Sequence, residues 1–415
     1  MRKVIFWASL LCFSCVPIPL FFDLSGLVFV LQEASFPEAI APVPVGLFAV
    51  SFVFFLYFFG SFVYPDSYTR FVGLSVSLVG FFVFVVLMCW SLFLSGASFL
   101  RALQVYIPLL LLSFISYPTG FFERKLVFWV TLGSISLFVF LHLFSIFFFA
   151  ENWLVTTSYE FAMFYGFGIY QSLVTYTAVI SLYMVVALGA ILSVRVGLVC
   201  RFGLMLIVLQ MLLVLALGAR RASIVELIMI ASIAAVFAVA YLLVKVRFSI
   251  GGVVLFAMAL FLFSIVDLIS SLPVFRRLAE SYSSSTLDSG RFEIYGRAIR
   301  ELSSDYILLL GGRGAASGYH NFALDLVYSI GLVPLLIFLV AVIAIFAKGL
   351  KRMRHEVRKS SWSSLFLFLS VIACFFVQSM VNASVTQPYY LANLLVVVLL
   401  LYFMPNRASG GVGSS

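Results

Sequence analysis

Charge is what this sequence has least of. Only 10% of its 415 residues are charged, where a soluble domain carries about a quarter, so the chain has too little polar surface to cover itself in water. Histidine is scarce, with three in the whole chain, and none of the five cysteines (Cys12, Cys15, Cys89, Cys200, Cys374) stands at zinc-ligand spacing with one. All five fall within or beside apolar runs and are expected to pack as small core hydrophobes rather than form a metal site. No Asp-x-Asp pair lies outside the apolar runs. Any sugar or phosphate chemistry is therefore expected to need no metal, and no cofactor is predicted. The formal net charge of +9 could suggest nucleic acid, but there is no soluble basic domain to bind it.

What fills the chain instead is apolar, with 64% hydrophobic residues and 48 phenylalanines. A membrane-spanning helix needs about 20 apolar residues, and continuous runs without period-2 alternation select helices over a barrel. The expected fold is an all-α polytopic membrane protein with about twelve transmembrane helices. The spans lie near 4–22, 44–64, 71–94, 101–117, 126–149, 172–193, 202–218, 222–244, 249–271, 320–347, 361–382 and 387–403. Residues 1–404 form one transmembrane domain, and 405–415, rich in Gly and Ser, are expected to be a disordered cytoplasmic tail. Arg2 and Lys3 ahead of an apolar stretch imitate a signal peptide. No Ala-x-Ala-like site follows, so the segment reads as an uncleaved first helix.

Positive charge fixes sidedness. With the amino terminus inside, the cytoplasmic loops hold Arg70, Arg124 with Lys125, Arg195 with Arg201, Lys245 with Arg247, and six more Lys and Arg between Lys348 and Lys359. The first outer loop, Asp23 to Pro44, has Asp23, Glu33 and Glu38 but no Lys or Arg. Both termini come out cytoplasmic. Two places break the rule: Arg220 and Arg221 at an outer junction, and Arg276, Arg277, Arg291, Arg297, Arg300 and Arg313 in the long outer segment. Arginine placed against the topological bias needs another reason, and an external anionic ligand supplies one.

That outer segment, 272–319, is far longer than any other connection, and such loops are usually functional. Ser281 to Asp288 is Ser-rich. Asp288 or Ser289 could then cap a helix running to about Leu302. Within it Ile294, Tyr295, Ala298, Ile299 and Leu302 form one apolar stripe, with Glu293, Arg297 and Glu301 laddered at i,i+4. This is the pattern of a helix lying on a membrane surface.

Here the sequence resembles a known family. Ser289-Gly290-Arg291-Phe292-Glu293-Ile294-Tyr295, then Gly311-Gly312-Arg313-Gly314, His320-Asn321, and Tyr328-Ser329-Ile330-Gly331-Leu332 is similar to the O-antigen ligase and polymerase superfamily. The Arg300-to-Gly311 spacing resembles that of O-antigen polymerases. Gly218-Ala219-Arg220-Arg221-Ala222 resembles the family's short Ser-Arg-Gly-like element but has Ala219 and Ala222 for Ser and Gly, so either arginine could correspond. The local match covers about 60 residues plus this element, and the rest agrees in hydropathy alone.

The resemblance implies an integral membrane glycosyltransferase that acts on undecaprenyl-pyrophosphate-linked glycans at the periplasmic face of a bacterial inner membrane, within lipopolysaccharide synthesis. It also implies a chain-length regulator and a flippase in the same pathway. Such an enzyme must bind a lipid diphosphate, stabilise charge as the C1–O bond breaks, and position an acceptor hydroxyl. The planar, permanently charged guanidinium suits the first two tasks. Arg291, in the first turn of the expected helix where free N–H groups also favour an anion, is the leading catalytic candidate, with Arg220 or Arg221 clamping from another span. His320 is a candidate general base, an alternative phosphate-binding cation, or a capping residue at a helix mouth. Arg300, Gly311, Arg313 and Asn321 are candidate substrate contacts. In a straight helix, however, Arg291 and Arg300 face nearly opposite ways, so Arg300 could equally serve a headgroup or structural role. Arg297 reads as structural, while Arg276 and Arg277 read as snorkelling to headgroups. Glu226, Asp267 and Asp325, near the outer ends of spans, either neutralise arginines or take part in chemistry. His142 and His355 have only structural readings. The aromatic residues of Glu151 to Tyr170 read as interfacial belt, though that segment is also where acceptor contacts would be sought.

The sequence favours a polymerase joining repeat units over the related ligase, which moves finished polysaccharide onto lipid A-core. A lipid-linked oligosaccharide flippase is the reading from another class. Transporters usually place charge near the bilayer midplane and show similar halves, whereas here the charges gather at one outer face and no repeat is seen.

Overall fold

The computed structural model describes residues 124–149, 173–193, 198–218, 224–233, 291–305, 321–333, 362–381 and 388–403, with single positions within 7–18, 335–343, and at 86, 89 and 222. All regular structure among the described residues is helical, with no strand. The elements are α1 (Arg124–Phe149), α2 (Leu173–Ser193), α3 (Leu198–Leu217), α4 (Arg291–Ser304), α5 (Phe322–Ile330), α6 (Trp362–Val381) and α7 (Pro388–Phe403). A further apolar helical stretch, Ile224–Ile233, follows α3. Among the described residues, two helices, Phe128–Phe148 and Val199–Leu217, are long and apolar enough to cross a membrane.

The segments show why they are helical. α1 has an inward face of Phe128, Leu132, Ile135, Val139, Leu143 and Ile146, all buried, at three- and four-residue spacing. Its other face is just as apolar: Leu137, Phe140, Phe144 and Phe148 are exposed, and the Phe144 and Phe148 rings lie 4.1 Å apart. α3 likewise exposes Phe202, Met205, Leu206 and Leu209. A helix apolar all round is suited to a membrane or a deep core, and these outward faces are bare.

α2 is the axis of the bundle. It packs against α3, α6 and α7 as well as α1, and nearly every side chain from Thr175 to Ala190 is buried. Gly189 allows the closest of these approaches, because a Cβ there would run into the side chain of Leu367 on α6.

Many polar groups inside the bundle are paired, as a low-dielectric interior favours, although the hydroxyls of Thr175, Ser370 and Tyr390 are buried without a hydrogen-bond partner among the described residues. Tyr183 on α2 donates to Asn393 Oδ1 on α7 at 2.8 Å. The Asn393 amide donates in turn to the carbonyls of Val16 and Tyr389, and Tyr389 donates to the Pro17 carbonyl. Ser134 donates to the Ser14 carbonyl, so the amino-terminal segment is fastened to both α7 and α1. Ser136 bridges to Gln210 on α3. His142, fully buried, shares a 3.1 Å hydrogen bond with the Tyr176 hydroxyl.

Two expectations need revision. Cys12 and Cys374 are buried, but Cys89 and Cys200 are exposed, so not all five cysteines are core residues. The tenth expected span, 320–347, is also not one unbroken helix. α5 ends at Ile330, and Gly331 takes a φ of 95° while its N–H caps the Val327 carbonyl at 2.8 Å. Left-handed backbone of this kind suits glycine. The expected spans at 44–64, 71–94, 101–117 and 249–271 and the tail 405–415 lie outside the described residues, apart from positions 86 and 89.

Candidate functional site

The site is built around one helix end. α6 stops at Val381, so the Met380 carbonyl is among the last four, which have no intrahelical donor. Two side chains, one on α4 and one capping α5, fill that need. Tyr295 on α4 donates its hydroxyl to Met380 O at 2.8 Å. Asn321 Nδ2 donates to the same oxygen at 3.4 Å.

α4 runs Arg291–Ser304, within two residues of the expected helix. Ala298 and Leu302 are buried and Tyr295 is half-buried, and the helix packs on α5, which packs on α6. Ile299, expected in the same stripe, is exposed, so the buried face is narrower than the apolar pattern suggested. Glu293 and Arg297 form the expected i,i+4 pair at 3.7 Å, both well exposed, a geometry worth little on a surface.

Arg291 opens α4, where the first N–H groups of a helix and its dipole favour an anion. It precedes Tyr295 by four residues and Ala298 by seven, the register of the docked face. Arg300 is exposed, and its guanidinium lies along α4 itself, 3.6 Å from where a Cβ on Gly296 would stand. Because α4 is unbroken, nine residues place Arg291 and Arg300 roughly 180° apart.

Asn321 is the N-cap of α5, with φ −135° and ψ 124°, and its Oδ1 accepts from Leu324 N at 3.1 Å. Expected as a substrate contact, its buried side chain is engaged at both ends, once as a cap and once with Met380. Asp325 is buried in the first turn of α5. Replacing Asn321 by alanine should lower stability by about 1 kcal/mol through the lost cap. Serine, which keeps the cap but cannot reach Met380, should fall between alanine and wild type. Thermal unfolding of the three in detergent checks this, and equality of serine with wild type would show the Met380 contact to be idle.

Glu226 is the site feature whose surroundings the sequence did not disclose. It is fully buried in Ile224–Ile233. Its carboxylate accepts from Ser181 Oγ on α2 at 2.7 Å and from Gln378 Nε2 on α6 at 2.8 Å. Both of these partners are neutral side chains. Gln378 stands two residues before Met380, so the same helix end also holds the stretch that follows Arg220 and Arg221. A lone glutamine in an apolar span was the available signal.

His320, Gly311, Arg313, Arg220, Arg221 and Asp267 lie outside the described residues, as do Arg276, Arg277, His355 and the aromatic segment 151–170, and Arg291 is described only in its backbone. Gly218 and Glu226 flank the arginine pair, and Asn321 follows His320. No protein-family model matches the chain, and no curated protein matches it either.

Proposed function

We propose that the chain is an O-antigen polymerase, a multi-pass glycosyltransferase of the bacterial inner membrane with about twelve spans and both termini cytoplasmic. It joins undecaprenyl-pyrophosphate-linked repeat units at the periplasmic face. One observation carries the reading. Tyr295 and Asn321 are bonded to the last turn of α6, and Glu226 to Gln378 two residues before it. That three sequence-distant stretches near the candidate cations meet at one helix end supports a site that gathers several cations around one anion.

The chemistry follows from charge. The acceptor hydroxyl oxygen attacks the donor sugar C1, the C1–O bond to the lipid diphosphate breaks, and the leaving oxygen takes the electron pair. Arg291 and one of Arg220 and Arg221 offset the charge that develops on the diphosphate. His320 takes the acceptor proton. Direct displacement inverts the configuration at C1.

Deletion of the gene in its host, followed by lipopolysaccharide electrophoresis, tests the reading. A core carrying a single repeat unit is the expected result. Bare core would reassign the chain as the ligase, and accumulation of lipid-linked units on the cytoplasmic side would reassign it as a flippase.

A further inference from the structure

We propose that Tyr295 is a positioning residue of this site, whose hydroxyl sets the first turn of α4 against the end of α6. The inference rests on the transferase reading and deepens it, because Arg291 opens that turn. The bond itself is independent of that reading. The Tyr295 hydroxyl donates to the Met380 carbonyl at 2.8 Å, across 85 positions of sequence. α4 packs on α5, and the tyrosine reaches on to α6. A phenol suits such a reach, since its ring can pack on apolar neighbours while the polar tip finds a partner at the wet edge. Tyr295 is accordingly half-buried.

The rest of the docked face explains why one hydroxyl matters. Among the described side chains of α4, Ala298 and Leu302 are buried, and they lie about one and two turns beyond Tyr295. An alanine buries little, and Glu293, Arg297, Ile299 and Arg300 are exposed. The apolar grip is therefore weighted towards the C-terminal half of the helix. Nearer the first turn, the tyrosine bond is the anchor to α6. Met380 O also receives Asn321 Nδ2, at 3.4 Å, and a carbonyl has two lone pairs to accept both. The longer bond ties α5 and the shorter ties α4. Loss of the tyrosine hydroxyl would free α4, while Asn321 still caps α5. Because the tyrosine bond is exposed, water can take the vacated place on the carbonyl. What is lost is then the orientation of α4 rather than the stability of the bundle.

The test compares the full chain with Tyr295→Phe, which keeps the ring and removes only the hydroxyl. Both are placed in lipid nanodiscs, with lipid-linked repeat units supplied as donor and acceptor. Hydrogen exchange over Tyr295–Ser304 should become about tenfold faster in Tyr295→Phe, the scale of one net hydrogen bond. Exchange in α2 and the unfolding temperature should stay at wild type. In the same preparation kcat should fall by roughly 10- to 100-fold, the cost of a misplaced catalytic group, while KM moves little. Tyr295→Ala, which also removes the ring, should loosen α4 further. Unchanged exchange in Tyr295→Phe overturns the proposal, and so does a loosened α4 with wild-type kcat. A loss of activity that comes with a lower unfolding temperature and faster exchange in α2 also overturns it, because the hydroxyl would then be a general support of the bundle. If the wild-type chain makes no polymer while Tyr295→Phe still loosens α4, the transferase reading falls and the anchorage stands.

Discussion

Replacing Arg291 by lysine is expected to cost nearly as much as replacing it by alanine, on the order of 10² to 10³ in the rate of polymer formation. Both variants lose the same feature. A guanidinium presents a planar fork that meets two phosphate oxygens at once, whereas an ammonium is a compact point charge. The helix adds a second reason. Arg291 is the first residue of α4, so a diphosphate held there also meets free backbone N–H groups, and the gap between fork and point charge is set by geometry rather than net charge. Arg300→Ala, on the exposed opposite side of the same helix, should have a much smaller effect. Polymer ladders from strains with matched membrane abundance would show the difference. A normal ladder from Arg291→Ala would remove the residue from the mechanism.

The second large effect is on the bundle. Gly189→Ala places a methyl group where the Leu367 side chain stands. Leu367 is itself buried, so it has little room to yield. Overpacking of this kind typically costs about 1–3 kcal/mol, and α2 touches most of the other helices. Thermal unfolding in detergent should show a clear drop. Adding Leu367→Ala should recover part of it, because the new methyl then fills the space that the leucine leaves. The two changes should therefore be less harmful together than their sum, the sign of a direct contact. Strict additivity would mean that the helices do not meet there.

Legibility in the sequence followed the physics of each residue. α4 was readable nearly to its ends, because Tyr295, Ala298 and Leu302 recur at helical spacing between charged positions. The opposed directions of Arg291 and Arg300 needed only the pitch of a helix. The break in the tenth span falls at Gly331, and a hydropathy run hides it, since that glycine sits among apolar neighbours. The Met380 carbonyl could not be foreseen at all. A backbone acceptor has no signature in sequence, and its importance comes from where α6 happens to end. Glu226 was visible as a carboxylate in an apolar span, whereas its partners Ser181 and Gln378 come from helices 45 and 152 positions away.

The sidedness of α4 is the most direct point of attack. Ser303 is exposed on that helix, so a Ser303→Cys chain lacking the five native cysteines offers one thiol for a membrane-impermeant reagent. In intact spheroplasts the account predicts full labelling from outside. Labelling that appears only after the membrane is opened would put these arginines in the cytoplasm and contradict the transferase site.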